Sequence, residues 1–144
     1  MLKLFESLCW LGLAISVVAL TITSLPSLGG SHVGGNMLLA HMMASGVLVF
    51  TLPLLAVFGV GRMLGAGEAS PAQKISFWVT IATGFLTILT VFVCMLPIPS
   101  TETMHTLALL HRYAGFAMVP AVVLFLISAW QFRRMNSMRS STPG

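Results

Sequence analysis

The chain is poor in charge. Only 7% of its 144 residues are Asp, Glu, Lys or Arg, against roughly a quarter in soluble globular domains. It has no aspartate, and its acidic residues are Glu6, Glu68 and Glu102 alone. This scarcity, with 57% hydrophobic residues and a mean hydropathy of +0.98, excludes an ordinary soluble domain and points to an integral membrane protein. Cysteine is equally scarce. Cys9 and Cys94 form no C-x-x-C, which argues against thiol–disulfide exchange, and there is no C-x-x-C-H, so any haem is not covalently attached. A clear A-x-A cleavage site is missing after the first apolar run, which therefore reads as a retained helix and not a signal peptide. The net charge of +4 does not point to nucleic acid, because membrane topology accounts for nearly all of it.

What is present is four apolar runs, about 7–25, 36–60, 75–96 and 105–131. Each has the roughly 20 residues that cross a bilayer. The breaks LPSLGGSHVGG, GRMLGAGEASPAQ and LPIPSTET are rich in turn formers and short. The expected fold is therefore all-α: a membrane-embedded up-down four-helix bundle. It forms one unit over 1–134, followed by a flexible polar tail, 135–144. Lys3, Arg62, Lys74, Arg133, Arg134 and Arg139 fall at the N-terminus, the middle loop and the C-terminus, and the other two loops hold no Lys or Arg. The positive-inside rule then makes both termini cytoplasmic, in a bacterial inner membrane. Trp10, Trp78 and Trp130 fall at the cytoplasmic ends of their spans, as interfacial anchors do. The basic tail can touch anionic lipid head groups.

Two histidines, His41 in the second span and His111 in the fourth, lie roughly 8–9 Å past Asn36 and His105, at about 1.5 Å per residue. Both spans enter from the same side, so the imidazoles share a depth. Ionisable groups there are functional candidates. Two imidazoles facing across a bundle suggest a shared metal, foremost a haem iron. One turn further on stand Ser45, Gly46 and Gly115. They leave room for a flat ring against the backbone, or simply let helices pack closely. Arg112 is the one basic residue in the extracytoplasmic half. It can meet haem propionates or a quinone, snorkel to the head groups, or pair with Glu102.

A faint internal repeat runs through the chain. Leu25-Pro26 and Leu96-Pro97 open the two outer turns, His32 and His105 follow, then His41 and His111, then Pro53 and Pro120. The interval from His41 to His111 is close to half the chain. A repeat of this kind puts the deep histidines about a pseudo-twofold axis.

His32 and His105 precede the deep pair by nine and six residues, about 900° and 600° of helix, so neither shares a face with its partner. Three roles stay open for them: solvated loop histidines, a quinol pocket with Glu102 as proton acceptor, or ligands of a second haem. Ten methionines are many. Met37, Met42, Met43, Met95 and Met104 gather toward the outer side near Cys94, and soft sulfur ligands suit Cu(I), so copper binding or transport is an alternative. Gap-filling is the plainer use of methionine.

With L-x-H-x-x-x-S-G in the second span (Leu39 to Gly46) and L-H-R-Y-A-G in the fourth (Leu110 to Gly115), the chain resembles the small four-helix b-type cytochromes. That superfamily includes the membrane subunits of hydrogenases and formate dehydrogenases. The resemblance covers spans two to four, and span one in hydropathy only. It implies haem b, one or two per chain, with His41 and His111 as axial ligands. It also implies electron exchange with quinone. Many members carry a further histidine pair toward the opposite face, and this chain has no histidine there. The expected role is an electron-transfer subunit between the quinone pool and an extracytoplasmic redox partner, a multihaem cytochrome or an iron–sulfur protein, and not an enzyme alone. A purely structural assembly subunit is the third alternative.

Overall fold

The computed structural model describes residues 2–29, 34–65 and 69–140. It contains four helices, α1 (Leu2–Leu28), α2 (Gly35–Leu64), α3 (Pro71–Met95) and α4 (Thr101–Ser140). All four are long and apolar enough to cross a membrane, and only 22–33% of each apolar window is buried inside the protein. The rest forms an outer surface of large apolar side chains such as Phe50, Val57 and Leu124, which suits surrounding hydrocarbon and not water. The chain is all-helical, a four-helix bundle whose helices have the length and apolar surface of a multi-pass membrane protein.

Each helix extends beyond its apolar run at one end or both, because polar residues and turn formers set the ends. At the start of α3, Ser70 accepts a hydrogen bond from the Gln73 amide at 3.2 Å and Pro71 occupies the first turn. At the start of α4, Ser100 accepts from the Thr103 amide at 3.3 Å, and Glu102 places a negative charge in the first turn. Lys74 closes the other end of α2 by donating to the Gly65 carbonyl at 2.8 Å. Gly35 opens α2 at φ +57°, a conformation that a side chain would strain. Helix α4 continues through Ser140, into the stretch read from sequence as a tail.

Packing is antiparallel throughout. α1 lies along α2 and α3 along α4, the two hairpins meet more sparsely through α1–α4 and α2–α3, and the backbones of the diagonal pairs stay apart. Phe5 meets Phe58 and Gly12 meets Thr51, while Phe77 meets Phe125 and Gly84 meets Met118. In each pair one residue number rises as the other falls, as an up-down bundle requires. Between helices in lipid, close packing replaces the hydrophobic drive. Helix α3 accordingly buries Ser76, Thr80, Gly84 and Thr87, and α4 buries Ala114, Ala121 and Ser128, small residues that let this pair approach closely.

The bundle has two unlike halves. The half holding the termini and the α2–α3 link is filled: Trp10 stacks on Phe125 at 3.7 Å and 7°, with Phe77, Leu13, Leu55 and Met63 buried around it. Trp10 is thus a half-buried packing residue, not the interfacial anchor its position suggests, whereas Trp78 and Trp130 are exposed. A Cβ at Gly59 would sit 2.7 Å from the ring of fully buried Phe77. The Gly59→Ala variant is therefore expected to loosen α2 from α3 and lose roughly 1–3 kcal/mol, measured as earlier unfolding in a denaturing-detergent titration.

Candidate functional site

The other half, beneath the α1–α2 and α3–α4 turns, is hollow. A cavity of about 570 Å³ opens among all four helices, within the usual range for small-molecule and cofactor pockets. His41 and His111 both line it, as do Arg112, Ser45, Gly46 and Gly115. The two histidines come from helices on opposite corners of the bundle. A Cβ added at Gly46 or Gly115 meets nothing within 4 Å, so these positions leave open space one turn beyond each imidazole.

Each imidazole is held from behind by the neighbouring helix. His111 Nδ1 lies 3.0 Å from the Thr87 carbonyl oxygen and 3.2 Å from Thr90 Oγ1. A carbonyl oxygen only accepts, so His111 Nδ1 carries the proton. His41 Nδ1 lies 2.9 Å from Thr23 Oγ1 and 3.4 Å from Ser24 Oγ. The Thr23 hydroxyl gives its own hydrogen to the Ala19 carbonyl at 2.8 Å, which leaves its oxygen to accept from His41 Nδ1. The carbonyl contact thus fixes the Nδ1–H tautomer at His111, the hydroxyls anchor His41 through the same nitrogen and can accept from it, and neither Nε2 has a hydrogen-bond partner among the described residues. This is the arrangement a ligating histidine needs: one nitrogen fixed by a hydrogen bond, the other free for a metal.

Sequence reasoning misses the threonines. Their signal is there, in two hydroxyls that precede their histidines by 18 and 21 residues, but it becomes visible only once the hairpins are folded. They also extend the repeat. Six cavity positions of α2 (Leu38, His41, Met42, Ser45, Gly46, Leu48) match six of α4 (Ala108, His111, Arg112, Gly115, Phe116, Met118), every pair at the interval that separates His41 from His111. Thr23 and Thr90 stand at nearly that interval and perform the same task in α1 and α3.

The shallow candidates are elsewhere. His105 and Glu102 are exposed on the first turns of α4 and do not line the cavity. His32 lies outside the described residues. Met42 and Met95 border the cavity, but Met37, Met43 and Met104 are exposed and do not. Among the described residues no three His, Cys, Asp or Glu side chains come together, and Cys9 and Cys94 form no disulfide.

Arg112 stands at the cavity wall with its guanidinium over the Tyr113 ring, 5.5 Å from the centroid. No carboxylate pairs with it among the described residues, so Glu102 does not neutralise it.

No family model matches the chain, and neither a curated protein nor a solved structure does.

The residues present fit a haem. Two imidazoles with Nε2 available border a mostly apolar cavity from opposite corners, two glycines leave its walls bare, and a cation with no carboxylate beside it stands at its wall.

Proposed function

We propose that the chain is a membrane-bound b-type cytochrome subunit. It would carry electrons between the quinone pool and an extracytoplasmic redox partner, with one haem b held between His41 and His111. The observation that carries this reading is the pair of Nδ1-anchored imidazoles bordering one cavity from diagonal helices. His41 and His111 would hold such a haem, which would supply one-electron exchange rather than O₂ chemistry.

The chain's own residues supply the rest. Thr23 and the Thr87–Thr90 pair orient the rings by holding Nδ1, which would leave Nε2 for the metal. Ser45, Gly46 and Gly115 keep the helix surfaces low, with the Ser45 hydroxyl turned back onto the His41 carbonyl at 2.8 Å. Arg112 offers charge to carboxylates. The filled half around Trp10, Phe77 and Phe125 supports one haem and not a two-haem wire. Arg62, Lys74 and Arg134 stand at that filled end, which by the positive-inside rule faces the cytoplasm of a bacterial inner membrane. The cavity then lies near the extracytoplasmic face, within reach of a multihaem cytochrome or an iron–sulfur protein. Copper binding has no comparable observation behind it.

The test is haem stoichiometry and spectrum. Protein purified from haem-supplied cells is expected to hold one haem b per chain, to show the α band of a low-spin b-type centre on reduction, and to be reduced by a quinol analogue. A colourless protein that binds Cu(I) instead would replace this reading by the copper one. Thr90→Val and Thr23→Val are each expected to weaken haem retention about tenfold, measured by transfer of haem to a competing apo-globin.

A further inference from the structure

The cavity is pseudo-symmetric in shape but not in chemistry. Each helix turns about 100° per residue, so the contacts fix which flank faces which neighbour. On α2, Thr51 and Phe58 touch Gly12 and Phe5 of α1, while Leu52 and Gly59 approach Gly84 and Phe77 of α3. Met42 and Gly46 stand on the α3-facing flank. On α4, the small buried residues Ala114 and Ala121 pack toward α3, and Arg112 and Phe116 stand on the opposite flank, toward α1. The α1 flank that turns to α4 is marked by Trp10 on Phe125, and it also carries Thr21 and Ser24.

The cavity therefore has two unlike seams. Arg112, Thr21 and Ser24 line the cavity on its α1–α4 side, and Met42, Ile88 and Phe92 line it on its α2–α3 side. The repeat sharpens the contrast. Met42 is the counterpart of Arg112, at the interval of the two histidines, and Ile88 is that of Thr21, at the interval of Thr23 and Thr90. One edge is cationic and polar, its symmetry mate apolar.

Resting on the reading above, we infer that Arg112 and the α1–α4 seam form a carboxylate subsite. It fixes the orientation of a porphyrin in a cavity whose two histidines alone would accept it either way round. Haem b has two carboxylates on one edge and none on the opposite edge, and the bundle offers one cationic seam and one apolar seam to match. A half-turn about the pseudo-twofold axis exchanges the imidazoles without cost, but it takes the carboxylates from Arg112 to Met42. Arg112 is thus a positioning residue for the ligand, not an iron ligand.

The experiment is a two-by-two titration of purified apo-protein in detergent. Wild type and Arg112→Leu are each titrated with haem b and with its dimethyl ester, in which both carboxylates are masked. Esterification is expected to weaken binding to wild type about tenfold, and Arg112→Leu to weaken haem b binding by a similar factor, with esterification costing that variant little more. The transplant Met42→Arg/Arg112→Met is expected to restore the preference for free carboxylates. Its ferric haem-methyl proton resonances should be permuted into the pattern of the half-turned ligand. Should the leucine variant not fold, Arg112→Gln, which keeps a polar hydrogen-bond donor without charge, completes the cycle. Equal binding of acid and ester by wild type overturns the inference, as does an undiminished preference in the Arg112 variants or an unpermuted transplant. A wild type that binds neither porphyrin defeats the cytochrome reading itself, a distinct outcome.

Discussion

Replacing His41 or His111 by alanine is expected to leave a protein that folds but retains no low-spin haem. On the proposed reading each imidazole would supply one of two bonds to a shared iron, so deletion of either would leave that iron short of a ligand. The loss is expected to exceed that of any other single substitution, well beyond the roughly 10–100-fold typical of changes to the groups that orient a ligand. The fold survives because both rings are only half-buried and border open space rather than the packed core. Optical spectra of the purified variants, with circular dichroism as the control for helix content, provide the measurement. His105→Ala serves as the contrast. That ring is exposed and apart from the cavity, so its removal should leave haem content unchanged. A halved haem content in that variant would instead favour a second haem near the turn end.

The second large effect comes from filling the cavity. At Gly115 an added Cβ meets no atom within 4 Å and the residue lines the cavity, so a leucine there starts in open space at the cavity wall. Gly115→Leu is expected to match or raise thermal stability in the absence of ligand, because it fills a void, while excluding the macrocycle and reducing haem retention at least about tenfold. Size exclusion and thermal unfolding report on the first effect and haem content on the second. A stable variant with full haem content would mean that Gly115 does not border the ligand. Gly59→Ala behaves oppositely, losing stability through its clash with Phe77 while the cavity, at the other end of the bundle, stays open.

Some of this architecture is legible in the residues and some is not. Hydropathy marks four crossings because a bilayer demands about 20 apolar residues, but it cannot see helix ends set by polar caps. The third span, read as 75–96, accordingly begins earlier, at Pro71, where Ser70 caps it. His41, His111, Arg112, Ser45, Gly46 and Gly115 are all conspicuous in sequence, and all line one cavity. Their common signal is a polar or very small residue in an apolar run, which is costly in lipid and so rarely idle. Thr23 and Thr90 carry no such signal, because a threonine in a membrane helix usually bonds its own backbone. Both do so here, and both also hydrogen-bond a histidine ring. Only the antiparallel register of each hairpin reveals the pairing. Trp10 misleads for a related reason: position along a helix is readable in sequence, but the face it presents to Phe125 depends on a neighbour at the far end of the chain.

The repeat meets the same limit. In sequence it rests on a few prolines and four histidines, too little to separate from coincidence. In the folded chain six cavity positions recur at one spacing, because two hairpins must present equivalent faces to a shared space.

The number of histidine nitrogens bound to the iron of an added haem is the decisive quantity. Low-temperature electron paramagnetic resonance of the ferric protein, loaded with one equivalent of haem, reads it directly. The expected spectrum is that of a single low-spin, six-coordinate centre with two imidazole ligands, lost in both His41→Ala and His111→Ala. A high-spin five-coordinate signal in wild type, or a low-spin signal that persists in either variant, would contradict it.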